Sequence, residues 1–290
     1  MSSSICVFGE VLFDHFPDGH RVLGGAPFNV AWNLQALGDP VHFISRVGND
    51  PEGTEILEAM QSWGMEITGV QSDPTLPTGR VSIELHDGEP SYDIVAPCAY
   101  DRIEPEERSS ACRILYHGSL ALRDPVSRAT LDKALAEKPG IIFIDVNLRP
   151  PWWQKQDIQS LLTHADWVKL NTQEFELLSE GPVATQDAPT EFVEEHALRG
   201  LILTHGSAGA EVFTASGEHH RVSPETGKEV VDTVGAGDAF ASVMLLGIAR
   251  SWPLDLTLQR AQAFASALVG QRGATVDDQT YYQQFKDNWR

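Results

Sequence analysis

The sequence predicts an α/β fold in which helices cover both faces of a central, mostly parallel sheet. Short apolar runs alternate with longer segments of helical periodicity, which is the pattern of repeated βαβ units. With 290 residues and 42% hydrophobic content, the chain is long enough to bury a substantial core. No repeat, low-complexity tract or linker interrupts the pattern, so we expect one domain over residues 1–290.

Seven short runs, most of them rich in β-branched residues, are predicted strands. They are Ile5–Gly9, Val41–Val47, Ile114–His117, Ile141–Val146, Trp167–Leu170, Leu201–Thr204 and Ala210–Phe213. Two of the intervening helices carry signals at both ends. One runs from an Asp50 cap to Gly64 and the other from an Asp124 cap to Gly140, each with proline at its first position.

Two segments break the alternation of strands and helices. The stretch 80–95 alternates with a period of two around Asp87-Gly88, which predicts a β-hairpin closed by a tight turn. The other segment, 11–23, lies between the first strand and a pair of glycines. A hairpin between α/β units has no place in the central sheet. We therefore expect both segments, about 11–23 and 79–97, to form a small separate sheet that acts as a lid and whose edges a homodimer could cover.

Composition excludes several classes of protein. The net charge of −20 and the pI near 4.7 argue against nucleic acid or an anionic membrane as a partner. The spacing of Cys6, Cys98 and Cys112 indicates neither a disulfide framework nor a zinc site, so a reducing cytoplasm fits best. The N-terminus has no basic region, and no run approaches the roughly 18 to 20 apolar residues that span a bilayer. We expect no targeting segment.

The clearest chemical signal is the run Gly235–Asp238, where a polar loop meets an apolar helix. A helix N-terminus presents unpaired N–H groups and partial positive charge, and the glycines at 235 and 237 would let an anion approach the backbone around Ala236 closely. An aspartate directly behind a phosphate site would repel its ligand. Asp238 makes sense if it takes a proton from a nucleophile that attacks the phosphate.

This run also has a structural interpretation, in which it caps a buried helix through Asp232 or Thr233. It is not the dinucleotide-binding fingerprint, because Phe240 stands where the third glycine would be. Nor is it a Walker loop, since no lysine follows the glycines. A dinucleotide oxidoreductase is therefore disfavoured.

Other polar residues follow predicted strands or begin predicted helices. Gly24 and Gly25 precede a helix whose Asn29 amide offers a donor and an acceptor to a pair of hydroxyls, although a plain loop-to-helix junction fits as well. Asp14 follows the first strand, at the end where α/β folds bind ligands. Arg149 follows another strand and suits either a phosphate oxygen or a surface ion pair.

Asn171 and Glu174 lie three residues apart at a predicted helix start. They match a capping box, with Asn171 as the cap and Glu174 at the third helical position. The same oxygen-rich pair also suits Mg²⁺ held through water, because that ion takes few protein ligands. The two interpretations are equally compatible with the residues alone.

Together these motifs resemble the ribokinase-like, or PfkB, family of carbohydrate kinases. "GGAPFNVAWNL" and "DTVGAGDAF" match its two signatures, and five further motifs stand in the family's order around and between them: "GEVLFD", "GNDPEG", "NLRPPWW", "NTQE" and "LTHGSAGA". The resemblance covers nearly the whole chain. It implies a ribokinase-like fold and ATP-dependent phosphorylation of a primary hydroxyl of a sugar.

The form of "GGAPFNVA" and "NLRPPWW" is closest to the fructokinase branch, which makes fructose the expected substrate. One alternative is a 2-keto-3-deoxygluconate kinase, whose substrate carboxylate would need an arginine such as Arg80. Another is a catalytically silent sugar or nucleotide sensor on the same fold.

The resemblance also implies roles for individual residues. Asp238 matches the general base, and the amides of Gly235, Ala236 and Gly237 match the anion hole for the transferring phosphoryl group. On the substrate side, Asp14, Gly25 and Asn29 match contacts to the sugar hydroxyls. Arg149 matches a substrate-binding position near the transferred phosphate.

On the nucleotide side, the resemblance implies contacts from Asn171, Thr204, Gly206 and Gly237. Glu174 matches a residue that supports Mg²⁺ through water, and Asp232 matches a ligand of a monovalent cation, usually potassium. His205 stands where the family more often has an aliphatic or basic residue, so its place in the nucleotide pocket is open.

Overall fold

A computed structural model describes residues 5–86, 89–106, 112–179, 185, 187–224 and 231–289. Its strands, in chain order, are β1 Ile5–Phe8, β2 Leu12–His15, β3 Arg21–Gly24, β4 Val41–Gly48, β5 Val70–Asp73, β6 Gly79–His86, β7 Glu89–Ile94, β8 Ile114–His117, β9 Ile141–Asp145, β10 Trp167–Asn171, β11 Gly200–Thr204, β12 Ala210–Thr214 and β13 His219–Val222. Its helices are α1 Ala26–Ala36, α2 Pro51–Ser62, α3 Pro125–Ala136, α4 Lys155–Leu162, α5 Thr172–Leu178, α6 Ala188–Glu195, α7 Ala236–Ala249, α8 Leu254–Leu268 and α9 Gln279–Asn288.

The central sheet has nine strands in the order β13-β12-β11-β10-β9-β8-β1-β4-β5. Its strands pair in parallel from β5 to β11, whereas β12 and β13 add an antiparallel edge. All seven predicted strands are present, and each end lies within one residue of its prediction. The strands β5 and β13 were not predicted, because their sequences VQSD and HHRV lack an apolar run.

Helices cover both faces of this sheet, as predicted for buried parallel strands. In β1 the side chains alternate: Ile5 and Val7 join one apolar cluster, and Cys6 and Phe8 join the other. The first cluster takes in residues of α1, α2, α7, α8 and α9, and the second takes in residues of α3, α4, α5 and α6. The two predicted caps are also present, since the side chains of Asp50 and Asp124 accept backbone N–H groups of α2 and α3.

The two segments that break the alternation form a separate four-stranded sheet, as predicted, in the order β3-β2-β6-β7. The predicted turn at Asp87-Gly88 lies outside the described residues. Glu52, in the first turn of α2, connects this small sheet to the body of the protein. Its Oε1 atom lies 2.9 Å from His15 Nε2, 3.3 Å from Arg21 Nη1 and 3.5 Å from Arg80 Nη2.

One prediction about the cysteines is wrong, because Cys6 and Cys112 form a disulfide. These residues are 106 positions apart, so their spacing gives no sign of pairing. The fold brings them together since β1 and β8 are neighbours in the sheet, with Cys6 opposite Leu115. Cys98 is a buried thiol. Within the described parts of the chain, no helix is both long and apolar enough to cross a membrane.

Candidate active site

The carboxyl ends of the parallel strands meet at one edge of the central sheet, which is where open α/β sheets bind ligands. Glu10 follows β1, Asp145 ends β9 and Asn171 ends β10. Thr204 ends β11 and lies opposite Asn171 in the strand register. The helices α1 and α7 pack against each other, and their N-terminal residues Asn29 and Asp238 meet here.

The N-terminus of α7 is not capped by a side chain. Gly235 is the N-cap residue with φ 76°, so the alternative in which Asp232 or Thr233 caps this helix is wrong. The N–H group of Ala236 makes a long bond of 3.3 Å to the Thr233 carbonyl. Within the described residues, the N–H groups of Gly235 and Gly237 have no protein acceptor. Two of the three predicted anion-hole amides are thus free to donate.

The two glycines of this run have different surroundings. A Cβ atom at Gly235 would lie 2.4 Å from Ala274, so only glycine fits there. Outside α7 itself, the described residues place one heavy atom within 4 Å of a Cβ atom at Gly237, the Nζ atom of Lys169 at 3.4 Å. Gly237 is exposed, and the space in front of it is therefore open.

Asp238 accepts a hydrogen bond of 2.8 Å from Asn29 Nδ2. The Asn29 amide is buried, and its Oδ1 atom has no partner within the described residues. Burial raises the pKa of Asp238 to about 6, against the effect of the Asn29 hydrogen bond; Asp145 raises it further, and Lys169 and Arg149 lower it. Asp238 nevertheless keeps part of its surface accessible.

Two more carboxyl groups with raised pKa values lie in this region. Burial raises the pKa of Glu10 to about 7, and the charge of Asp238 raises it as well. Burial also raises the pKa of Asp14 to about 6, while Arg149 lowers the pKa of both groups. Gly25 contributes close approach of the backbone, since a Cβ atom there would lie 2.7 Å from the Glu10 carbonyl oxygen. The predicted sugar-side residues thus converge near Asp238.

Asn171 and Glu174 form the capping box at the start of α5. Glu174 N donates to Asn171 Oδ1 at 2.9 Å, and Asn171 N donates to Glu174 Oε2 at 2.9 Å. The other carboxylate oxygen of Glu174 accepts the N–H of Leu148 at 2.8 Å. Each oxygen of this buried carboxylate is therefore already bonded to the backbone.

The remaining predicted residues lie around the ends of β10 and β11 and before α7. His205 bonds Thr172 Oγ1 through Nδ1 and Glu211 through Nε2, each at 2.9 Å, so its ring is held by protein groups. Gly206 follows it with open space around its Cα atom. Asp232 joins two loops, because its carboxylate accepts the N–H groups of Val234 at 2.9 Å and Gly273 at 3.0 Å.

Comparison with known proteins identifies the family of the chain. The profile described as pfkB family carbohydrate kinase matches residues 3–280. The chain belongs to the pfkB family of carbohydrate kinases. This pfkB kinase is 31% identical to the fructokinase of Escherichia coli over 265 residues, which cover 86% of the chain and 85% of that protein. The predicted family and enzyme class are confirmed.

Two solved structures resemble this pfkB kinase over most of its length. The fructokinase of Xylella fastidiosa with bound ATP superimposes with a TM-score of 0.87 and 23% identity, covering 100% of this chain and 99% of the other. The sugar kinase PH1459 of Pyrococcus horikoshii in complex with ATP gives a TM-score of 0.76 and 27% identity, covering 93% of each chain. The predicted ribokinase-like fold is confirmed.

Three residues of the pfkB kinase's site were not predicted from the sequence: Glu10, Asp145 and Lys169. Lys169 Nζ lies 2.9 Å from each carboxylate oxygen of Asp145, and both side chains are almost fully buried. The sequence contains a signal for two of them. Lys169 is a charged residue inside an apolar strand, and Glu10 interrupts the apolar run of β1. A charge in such a position needs a buried partner or a ligand.

Proposed function

We propose that this enzyme transfers the γ-phosphoryl group of ATP to a primary hydroxyl of fructose, with Asp238 as the general base. One observation carries the proposal. Asp238 lies in the first turn of α7, next to the free N–H groups of Gly235 and Gly237, and takes its hydrogen bond from Asn29 on the sugar side. A proton acceptor and a candidate anion site therefore adjoin each other at the start of α7.

In the proposed reaction, Asp238 accepts the proton of the sugar hydroxyl as that oxygen attacks the γ-phosphorus atom. The bond between this phosphorus and the bridging oxygen breaks, and ADP leaves with the electron pair. A pKa of about 6 keeps Asp238 mostly ionised at neutral pH while making it more basic than an ordinary aspartate. The N–H groups of Gly235 and Gly237, with Ala236 between them, donate to the developing negative charge.

The sugar would be held by Asp14, Gly25 and Asn29, with Arg149 near the transferred phosphate. The unpartnered Oδ1 atom of Asn29 suits a hydroxyl donor. The carboxyl groups of Glu10, Asp14 and Asp238 make this region unfavourable for an anionic sugar, which supports fructose over 2-keto-3-deoxygluconate. The arginine required by that alternative, Arg80, already faces Glu52 at 3.5 Å.

ATP would bind at the ends of β10 and β11, through Asn171, Thr204, Gly206 and Gly237. The ATP complex of the Pyrococcus horikoshii relative supports ATP as the phosphoryl donor. His205 would border this pocket with its ring fixed by Thr172 and Glu211.

The fold family implies Mg²⁺, and the described residues fit it only through water. They contain no group of three or more His, Cys, Asp or Glu side chains that could hold a metal. Each oxygen of Glu174 accepts a backbone N–H group, and we propose that this carboxylate supports the ion through water. Asp232 likewise bonds two backbone amides, and we propose that it orders the two loops around a potassium ion.

The small sheet is proposed to be a lid over the sugar site. Asp14 on β2 belongs both to this sheet and to the sugar-side residues, so the sheet borders the site. Its edge strands are β3 and β7, and Tyr92 on β7 is exposed, which suits a homodimer formed through the lid. A cytoplasmic location stays a prediction.

The test is a coupled assay of ADP release over six sugars: fructose, ribose, glucose, mannose, tagatose and 2-keto-3-deoxygluconate. We expect fructose to give the highest kcat/KM. A higher value for 2-keto-3-deoxygluconate would replace fructose with that alternative. No turnover on any of the six, with the protein folded and ATP bound, would favour the sensor.

A further inference from the structure

A buried ion pair lies beneath the N-terminus of α7. Lys169 is in β10, between Val168 and Leu170, which are both fully buried. Its Nζ atom donates to Oδ1 and Oδ2 of Asp145, each at 2.9 Å. Burial alone would lower the pKa of Lys169, but Asp145 raises it above its ordinary value, so the amine is charged.

The stability of the fold does not account for this pair. Bringing two charges into a protein interior costs about as much as their attraction returns, and apolar residues of similar volume are often equally stable. A lysine in a buried parallel strand therefore calls for another explanation. An ammonium group has three N–H donors, and Asp145 takes two of them.

The third donor of Lys169 has an open space within reach. Among the described residues, and apart from the neighbouring residues and backbone of α7 itself, the Nζ atom is the one heavy atom within 4 Å of the point where a Cβ atom at Gly237 would lie, at a distance of 3.4 Å. This point adjoins Gly237, whose N–H group is one of the two proposed to bind the transferring phosphoryl group.

We propose that Lys169 is a further catalytic residue, whose ammonium group contacts the transferring phosphoryl group beside the Gly237 N–H. Asp145 is then a positioning residue that holds the ammonium group in place. The inference rests on the proposed function of the α7 N-terminus. It adds to that site a full positive charge, which stabilises the charge of the phosphoryl group more strongly than neutral amides alone.

The two charges also act on the base in opposite directions. Lys169 lowers the pKa of Asp238 and Asp145 raises it. Burial raises the pKa of Asp238, and the other groups that act on its carboxyl are Asn29, through its hydrogen bond, and Arg149, which both lower this pKa. Asp238 in turn raises the pKa of Glu10. A change to one partner of the ion pair should therefore shift the pH profile of the enzyme in a known direction.

The decisive variant is the double substitution Lys169→Met with Asp145→Asn. It removes both charges of the pair at once. The single Lys169→Met substitution would leave the Asp145 carboxylate buried without its partner, and that protein is therefore at risk of misfolding. We expect kcat to fall by about 100-fold or more, the cost of removing one donor to a developing charge. Affinity for ADP alone should stay within a few fold, whereas affinity for ADP with aluminium fluoride, which mimics the phosphoryl group, should fall strongly.

The pH profile gives an independent measurement. In the unmodified enzyme, kcat/KM should rise as the pH increases through about 6, where Asp238 ionises. Asp145→Asn should move this rise to lower pH, and Lys169→Met, if it folds, to higher pH.

Either of two results would overturn the role of Lys169. One is a folded double variant with kcat within threefold of the unmodified enzyme. The other is equal loss of affinity for ADP with and without aluminium fluoride. Both results leave Asp238 as the base, so this inference can fail separately from the proposed function.

Discussion

The N-termini of α2 and α7 both carry an aspartate, and the two are used in opposite ways. In α2, Asp50 is the cap, and its carboxylate accepts the N–H groups of Gly53 and Thr78 and the hydroxyl of Thr78 at 2.7–2.8 Å. In α7 the cap is Gly235, and Asp238 points instead to Asn29. The start of α2 is capped by a side chain, whereas at α7 the N–H groups of Gly235 and Gly237 have no acceptor among the described residues.

The pKa values of the two aspartates show the same contrast. Burial alone would raise the pKa of Asp50, but hydrogen bonds from Thr78 and Gly53 hold it below its ordinary value. Burial raises the pKa of Asp238 from 3.8 to about 6. The ionised form of Asp50 therefore stabilises the fold. The ionised form of Asp238 is unfavourable in the folded protein, and its carboxylate is more basic than that of an ordinary aspartate. Capping serves stability, and its absence at α7 suits binding and catalysis.

Replacement of Asp238 should produce the largest effect. Asp238→Asn is expected to lower kcat by about 100- to 10,000-fold, the usual contribution of a general base, and to keep ATP affinity within a few fold. The pKa of Asp238 is higher in the folded chain than in the unfolded chain, so ionisation of Asp238 destabilises the fold as the pH rises. The Asp238→Asn variant lacks this ionisation, and its Tm above pH 6 should therefore not fall below that of the unmodified enzyme. Steady-state kinetics and thermal melts measure both. A variant that keeps most of its turnover would contradict the assignment of the base.

Replacement of Asp50 should have the reverse profile. Asp50→Ala removes the α2 cap and its bonds to Thr78, so the free energy of unfolding should drop by about 1–2 kcal/mol, with kcat nearly unchanged. Urea titration measures the loss. Asp124→Ala, which removes a cap with a single bond to Val126, is the matched control and should cost less. A loss of kcat without loss of stability would show that the two helix ends are not functionally separate.

The smallest effect is expected at Glu52, also in the first turn of α2. Glu52→Gln removes the carboxylate that faces His15, Arg21 and Arg80, a set of partly exposed pairs worth little individually. We expect faster proteolysis within Arg80–Val95 and slower proteolysis when saturating fructose is present. If fructose gives no protection in the unmodified enzyme, the small sheet does not close as a lid.

Local patterns predicted much of the fold. Seven strands, the caps Asp50 and Asp124 and the separate small sheet follow from short-range periodicity and terminal residues, and all are present. The site followed partly from the same signals, since Asp238 and Asn29 each stand at the start of an apolar helix. Asn29 and Asp238 are 209 residues apart in sequence. Their hydrogen bond depends on the packing of α1 against α7, which the local sequence does not indicate.

Apart from β5, β13 and the cap of α7, which are local, the features that were missed or wrongly predicted are long-range. The Cys6–Cys112 disulfide connects β1 with the residues just before β8, and the Asp145–Lys169 ion pair connects β9 with β10. The spacing of residues along the chain does not reveal which strands are neighbours in the sheet. The capping box of Asn171 and Glu174 was predicted, but the third bond to Leu148 was not, because it comes from a different loop. That bond occupies the second oxygen of Glu174 and so bears on the magnesium role.

The contact between Gly235 and Ala274 has a consequence for engineering. A side chain at Gly235 would collide with the backbone of the segment that leads into α9, while a methyl group at Gly237 has room. Randomising both positions would thus meet two kinds of constraint. Every other residue at Gly235 would carry a folding defect, whereas small side chains at Gly237 would be tolerated by the fold and would test the proposed anion site. Libraries of variants of this protein should keep Gly235 fixed and vary only Gly237.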